Sequence, residues 1–229
     1  FLGGLKKDEP ETKPGQVGIY VGASAGAFIA SMIAGGFKPE VLHHSLSENY
    51  DRKEAILRPI FYQDIIGNNI ISNISSTINS LLRTKKYKNF SIEGIIQTLL
   101  GFNGLFNTTR VGKYLEGVLP TNNFQELASE LYIITTELDN PNRIILGPKE
   151  LQTSRAATFA TDVGISEAAI GSMSLPVIFG PYKLKVKGKD VWVFDGEIRH
   201  TLSTHVAKDA GADLIIASYT HQPYVYNPD

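Results

Sequence analysis

A chain of 229 residues that is 42% hydrophobic and 20% charged has the composition of a globular protein, which excludes disorder and fibrous repeats. Lys and Arg number 22 against 23 Asp and Glu, and that net charge of −1 supplies no basic field for holding nucleic acid. The absence of cysteine excludes disulfides, thiolate metal sites and a thiol nucleophile.

Gln16 to Val21 is a short β-branched and aromatic run followed by Gly22-Ala23-Ser24-Ala25-Gly26 and an Ala-rich apolar stretch, Ala27 to Ala34. The pattern predicts strand, tight turn and helix. From Pro39 to Asn123 no strand is evident. Ile66, Ile70, Ile74, Ile78 and Leu81 with Leu82 recur at helical spacing there and are followed by Lys85, Lys86 and Lys88. That stripe reads as an ordinary core-facing helix or as a cap with a basic edge toward anionic lipid. Further on, helical patterns are expected at Phe124 to Ser129, Thr153 to Phe159, Gly164 to Ala169 and Leu202 to Ala210. Strands are expected at Glu130 to Thr136, Arg143 to Leu146, Val191 to Phe194 and Asp213 to Tyr219. Near-continuous apolar strands alternating with helices predict an α/β fold with a central, mostly parallel sheet between helices.

Gly22-Ala23-Ser24-Ala25-Gly26 is a Gly-x-Ser-x-Gly pentapeptide in the strand–turn–helix setting that a nucleophile elbow requires. Its small neighbours let strand and helix approach closely while Ser24 is presented at the positive end of the helix, beside the Ala25 N–H. The bland alternative is that these small residues only ease helix–sheet packing. A serine needs a base, and the candidate is Asp195, which ends the apolar run Val191 to Phe194 and precedes Gly196. Desolvation at a sheet rim strengthens such a base. Taken alone, Asp195-Gly196 is also simply a turn-forming pair.

Together these residues resemble the patatin-like phospholipases, lipid acyl hydrolases with a Ser–Asp dyad. The pentapeptide at Ser24 is similar to that family's elbow, and Asp195-Gly196 to its Asp-Gly box. Ser172-Met173-Ser174-Leu175-Pro176 resembles the stretch ahead of the box, Gly211 to Ala217 the strand after it, and Phe124 to Leu138 the central strand. The resemblance implies one patatin-like three-layer domain over residues 1–229 with a helical insertion or cap over 39–123. It implies hydrolysis of phospholipid or other lipid esters through Ser24 and Asp195 by way of an acyl-serine intermediate, with no cofactor and no metal. It also allows peripheral contact with a membrane. The family's glycine-rich oxyanion loop is not recognised here. Gly3-Gly4, flanked by Leu2 and Leu5-Lys6-Lys7, reads as the end of a first helix, so the loop is expected upstream of Phe1 or the oxyanion hole is defective. Glu197, where the family commonly has a small residue, raises the pKa of Asp195 if its carboxylate turns the same way.

Two other readings compete. The chain order Ser24, Asp195, His221 is that of a Ser–His–Asp esterase, with His200 and His205 weaker candidates. A patatin-like scaffold without an oxyanion loop is a binding module for lipid or protein. His43-His44 are adjacent on a helix-like stretch and do not face one another, so no metal pair is expected. No apolar run approaches the roughly 18 residues of a membrane span and no secretory signal is visible. The expectation is therefore an excerpted or processed chain, cytoplasmic or peripheral to a membrane.

Overall fold

The computed structural model describes residues 2–5, 17–46, 109–140, 142–153, 155–176, 179–199 and 202–219. Their elements in chain order are β1 (Leu2–Leu5), β2 (Ile19–Ala23), α1 (Ala25–Ala34), α2 (Pro39–Leu46), α3 (Thr109–Val118), a 3-10 turn (Phe124–Glu126), β3 (Glu130–Glu137), β4 (Arg143–Leu146), β5 (Ala157–Ala160), α4 (Ile165–Ser172), β6 (Tyr182–Val186), β7 (Lys189–Asp195), α5 (Thr204–Asp209) and β8 (Leu214–Ala217). The eight strands form one open mixed sheet in the order β5-β4-β3-β2-β1-β8, with β7 also on β3 and β6 on β7. The central pair β2–β3 and the pair β4–β5 are parallel. Antiparallel pairing joins β1 to β2 and β8, β3 to β4 and β7, and β6 to β7.

Side chains of the central strands alternate between two cores, as a period of two dictates. Tyr20, Leu131, Ile133, Ile144 and Leu146 pack with α1, α3 and α4. Ile19, Val21, Tyr132, Ile134 and Ile145 pack with Val206 and Ala207 of α5 on the other face. Helices on both faces of an open sheet make the fold α/β in three layers, and burial on both faces explains why β3 and β4 carry unbroken apolar runs.

The strand edges fix where the site lies. Ile133 and Ile134 of β3 pair with both β2 and β4, so those strands occupy opposite edges of β3. Thr135 and Thr136 pair with both β4 and β7, so β7 lies on the edge that β2 vacates. The last β2 pair is Ala23↔Ile134 and the adjoining β7 pair is Thr135↔Asp195. The residue after Ala23 and the last residue of β7 therefore meet at one point on the rim.

Helix α1 is built mostly from Ala, Phe, Ile and Met, and Gly35-Gly36 ends it. Gly36 takes φ +96°, while Gly36 N–H donates to Ile33 C=O and Phe37 N–H to Met32 C=O, the paired bonds of a Schellman stop. The β6–β7 hairpin turns on Lys187 and Gly188, both with positive φ, as a two-residue hairpin loop matched to strand twist requires.

Several sequence expectations change here. Thr153 to Phe159, expected as a helix, instead leads into β5, because Ala157 to Ala160 pair with Arg143 to Leu146 and strand pairing overrides the helical preference of alanine. Leu2–Leu5 is a strand between β2 and β8 rather than a helix end. The expected helix at Phe124 to Ser129 is only a short 3-10 turn, and β6 was not anticipated. Of the stretch 39–123, α2 and α3 are described, and Leu42, Leu115 and Leu119 join the core under α1 and α4. The Ile66 to Leu82 stripe and Lys85, Lys86 and Lys88 lie outside the described residues.

Candidate active site

Ser24 stands between the end of β2 and the start of α1 with φ +54° and ψ −133°. A non-glycine residue in such a region costs on the order of 1–3 kcal/mol and persists only where the surroundings over-determine it. Here they do. A Cβ on Gly22 would lie 2.6 Å from both Ala27 Cα and Gly26 O, so only glycine lets the helix fold back this tightly on the strand. Leu202, which also lines the cleft, has φ +57°, so two of the few positive-φ side-chain-bearing residues among those described border the same space.

Ser24 caps α1 without donating or accepting a side-chain cap bond. Its hydroxyl instead donates to Asp195 Oδ2 at 2.6 Å. The other carboxylate oxygen, Oδ1, accepts the Glu197 N–H at 2.8 Å, and the Asp195 main chain is fixed by its N–H to Ser174 C=O and by Thr136 Oγ1 donating to its carbonyl. Asp195 is only 1% exposed. Burial raises its pKa above the ordinary value, opposed by the hydrogen bonds from Ser24 and Glu197. Glu197 thus acts on Asp195 through its backbone N–H, whose hydrogen bond lowers the pKa.

A carboxylate that keeps a raised pKa while accepting a hydroxyl proton is poised as a base. The N–H groups of Ala25 and Gly26 head α1, where no intrahelical carbonyl reaches them, and the helix dipole favours negative charge there. A cleft of about 620 Å³ opens over the pair, with Ile29, Leu175, Ile198, Leu202 and Tyr219 among its apolar walls. That size and lining suit a mostly apolar small-molecule segment.

The model of the patatin-like phospholipase family matches residues 15–208 of the chain. The chain belongs to the patatin-like phospholipase family. No curated protein matches it at a significant level. As a member of that family the chain falls among the lipid acyl hydrolases, and the matched residues include both Ser24 and Asp195.

The other sequence candidates are placed elsewhere or lie outside the described residues. His205 sits on α5 with a ring nitrogen 3.0 Å from Arg143 Nη1; arginine only donates, so Nε2 is the acceptor and is engaged away from Ser24. His43 is exposed on α2. His200 and His221 are outside the described residues. Among the described residues no group of three or more His, Cys, Asp or Glu is arranged to hold a metal, and no helix is long and apolar enough to cross a membrane. One residue of the site was not assigned a role from sequence. Ser172 accepts the Ser24 N–H at 2.9 Å, and no residue-type signal announces a serine that acts through its neighbour.

Proposed function

We propose that this patatin-like protein hydrolyses carboxylic esters of lipids, most directly the acyl esters of phospholipids, through a Ser24–Asp195 dyad. The observation that carries the reading is the 2.6 Å hydrogen bond from the Ser24 hydroxyl to a nearly fully buried carboxylate at the floor of an apolar cleft. Asp195 takes the proton as Ser24 Oγ attacks the ester carbonyl, and the tetrahedral oxyanion forms against the N–H of Ala25 at the head of α1. Collapse breaks the ester C–O bond, the leaving alcohol receives the proton from Asp195, and an acyl-Ser24 ester remains. Asp195 then deprotonates a water that attacks this ester, and its proton returns to Ser24 Oγ as the fatty acid departs. Leu175 and Ile198 at the cleft are 40% and 47% exposed, an apolar rim that an acyl chain entering from a lipid aggregate would cover. We take 1–229 as one such domain, with 39–123 contributing an insertion.

The reading is tested with a fluorophosphonate serine-hydrolase probe. The expected result is a single adduct on the peptide carrying Ser24, suppressed by excess phospholipid and unaffected by His221→Ala. An adduct on another serine, or loss of labelling in His221→Ala, overturns the dyad in favour of a triad; no adduct at all favours a binding module.

The pH profile supplies a second check. General-base action needs ionised Asp195, whose burial raises its pKa. The acid limb of kcat/KM should therefore inflect above the ordinary 3.8 of an aspartate. An inflection at or below that value speaks against Asp195 as the base.

A further inference from the structure

We propose that Ser172 is a positioning residue for the nucleophile, acting through the Ser24 backbone; the inference rests on the dyad reading above. Ser172 ends α4, is fully buried, and its Oγ makes two bonds of opposite sense. It donates to Ile134 C=O at 2.6 Å and accepts from Ser24 N–H at 2.9 Å. The first bond commits the hydroxyl proton, so a lone pair is left facing the Ser24 amide. Ile134 is the β3 partner of Ala23, the residue before Ser24, so the relay ties the elbow to the strand pair that carries it.

The same helix end also holds the base. Ser172 C=O accepts the Gly196 N–H at 3.3 Å and Ser174 C=O accepts the Asp195 N–H at 3.0 Å. One short segment therefore grips both halves of the dyad, the nucleophile through a side chain and the carboxylate through main chain. Ser24 and Asp195 are 171 residues apart in the chain, and their 2.6 Å contact has to be set by something that touches both. The Ser172 bond also directs the Ser24 N–H toward α4, which leaves the oxyanion to the amides that follow at the head of α1. Ser172 touches no substrate atom in this arrangement. Its effect is on the angle at which Ser24 Oγ meets Asp195 and the ester carbonyl, a geometry to which attack rates are steeply sensitive.

The test compares the parent chain with Ser172→Ala, Ser172→Thr and Ser31→Ala. Ser31 is a matched control: it is fully buried on α1 and its hydroxyl bonds only Ala27 C=O. Rates are expressed per fluorophosphonate-titratable site, which removes any effect of misfolded protein. The positioning role predicts that Ser172→Ala acylates about 10- to 100-fold more slowly per site with KM within about two-fold, that Ser172→Thr recovers most of that loss because it keeps the hydroxyl, and that Ser31→Ala lowers thermal stability without changing the rate per site. Equal rates per site in Ser172→Ala and Ser31→Ala overturn the proposal, and so does a threonine variant as slow as the alanine one. If the alanine variant does not fold, the threonine variant decides on the same criterion against the parent. Hydrogen exchange at the Ser24 amide provides a readout independent of activity: it should be slow in the parent and at least about ten-fold faster in Ser172→Ala, and fast exchange in the parent refutes the bond. A parent that takes no label but keeps a protected Ser24 amide would overturn the dyad reading while sustaining the structural tie.

Discussion

Ser24→Ala, Asp195→Asn and the double variant are each expected to lower kcat for lipid-ester hydrolysis by about 10³- to 10⁴-fold, with the double variant little worse than either single one. In the proposed mechanism the two groups work as one unit. Without Oγ there is no acyl-enzyme to form, and without a carboxylate the hydroxyl proton at Oδ2 has no acceptor. In the Asp195→Asn variant the side-chain carbonyl oxygen would still accept the Glu197 N–H, but an NH₂ would turn toward Ser24 and reverse the sense of that bond. Geometry is kept and the proton path is lost. Steady-state kinetics on a phospholipid dispersion measures this: losses that multiply in the double variant mean two independent contributions, and a near-normal Asp195→Asn rate removes Asp195 from the mechanism.

The same substitution has an opposite signature in stability. The pKa of Asp195 is raised in the folded state because burial disfavours the charge. Between the ordinary value of 3.8 and the raised one, the native state binds more protons than the unfolded chain, so the free energy of unfolding falls as pH rises through that window. At neutral pH the ionised carboxylate is therefore a stability cost, and Asp195→Asn should melt at the same temperature as the parent or higher. A clear fall in melting temperature would mean that the charge is better solvated than its 1% exposure implies. Activity lost alongside stability kept or gained is the pattern expected of a group held for chemistry.

Ser24 and Asp195 were legible in the sequence for a local reason. Each sits at the end of a strand whose apolar run is continuous, next to glycines that only a tight approach requires, so a few adjacent residues reveal the constellation. The central strands were legible likewise: β4 falls at Arg143–Leu146 as expected, and β3 at Glu130–Glu137 exceeds its expected end by one residue. What was not legible depends on distant partners. β5 is a strand because β4 offers an edge to Ala157–Ala160, whereas alanines alone favour a helix. β1 contains Gly3-Gly4, which has no strand propensity, and exists through pairing on both sides. β6 did carry a signal, since Lys183, Leu184, Lys185 and Val186 alternate exposed and buried, but lysines on one face mask a short strand. Ser172 was noticed only for its neighbourhood, because its partners lie 148 and 38 residues away.

Gly196→Ala is expected to reduce hydrolysis by about 100-fold and to destabilise the fold by about 1–3 kcal/mol, the usual cost of overpacking a dense site. A Cβ at this position would lie 2.2 Å from Ile134 O and 2.8 Å from Ile134 C, with Ala23 Cβ at 3.2 Å. The obstructing atoms are backbone of the central strand, held in register by both β2 and β4, so they cannot swing aside as a side-chain tip would. β7 must retreat instead. Its retreat breaks the pairing of Asp195 with Thr135 and draws Oδ2 away from Ser24, and a shift of about 1 Å at such a contact is worth about 100-fold in rate. Gly22→Ala meets an equally rigid obstruction at Ala27 Cα, whereas Gly188→Ala, at a hairpin tip with nothing within 4 Å of its added Cβ, should cost only the strain of its positive φ and leave the rate per site unchanged. Thermal melts and titrated rates on the three variants distinguish a steric block at the site from general intolerance of alanine for glycine: comparable losses of rate in Gly188→Ala and Gly196→Ala would remove close packing at Ile134 as the cause.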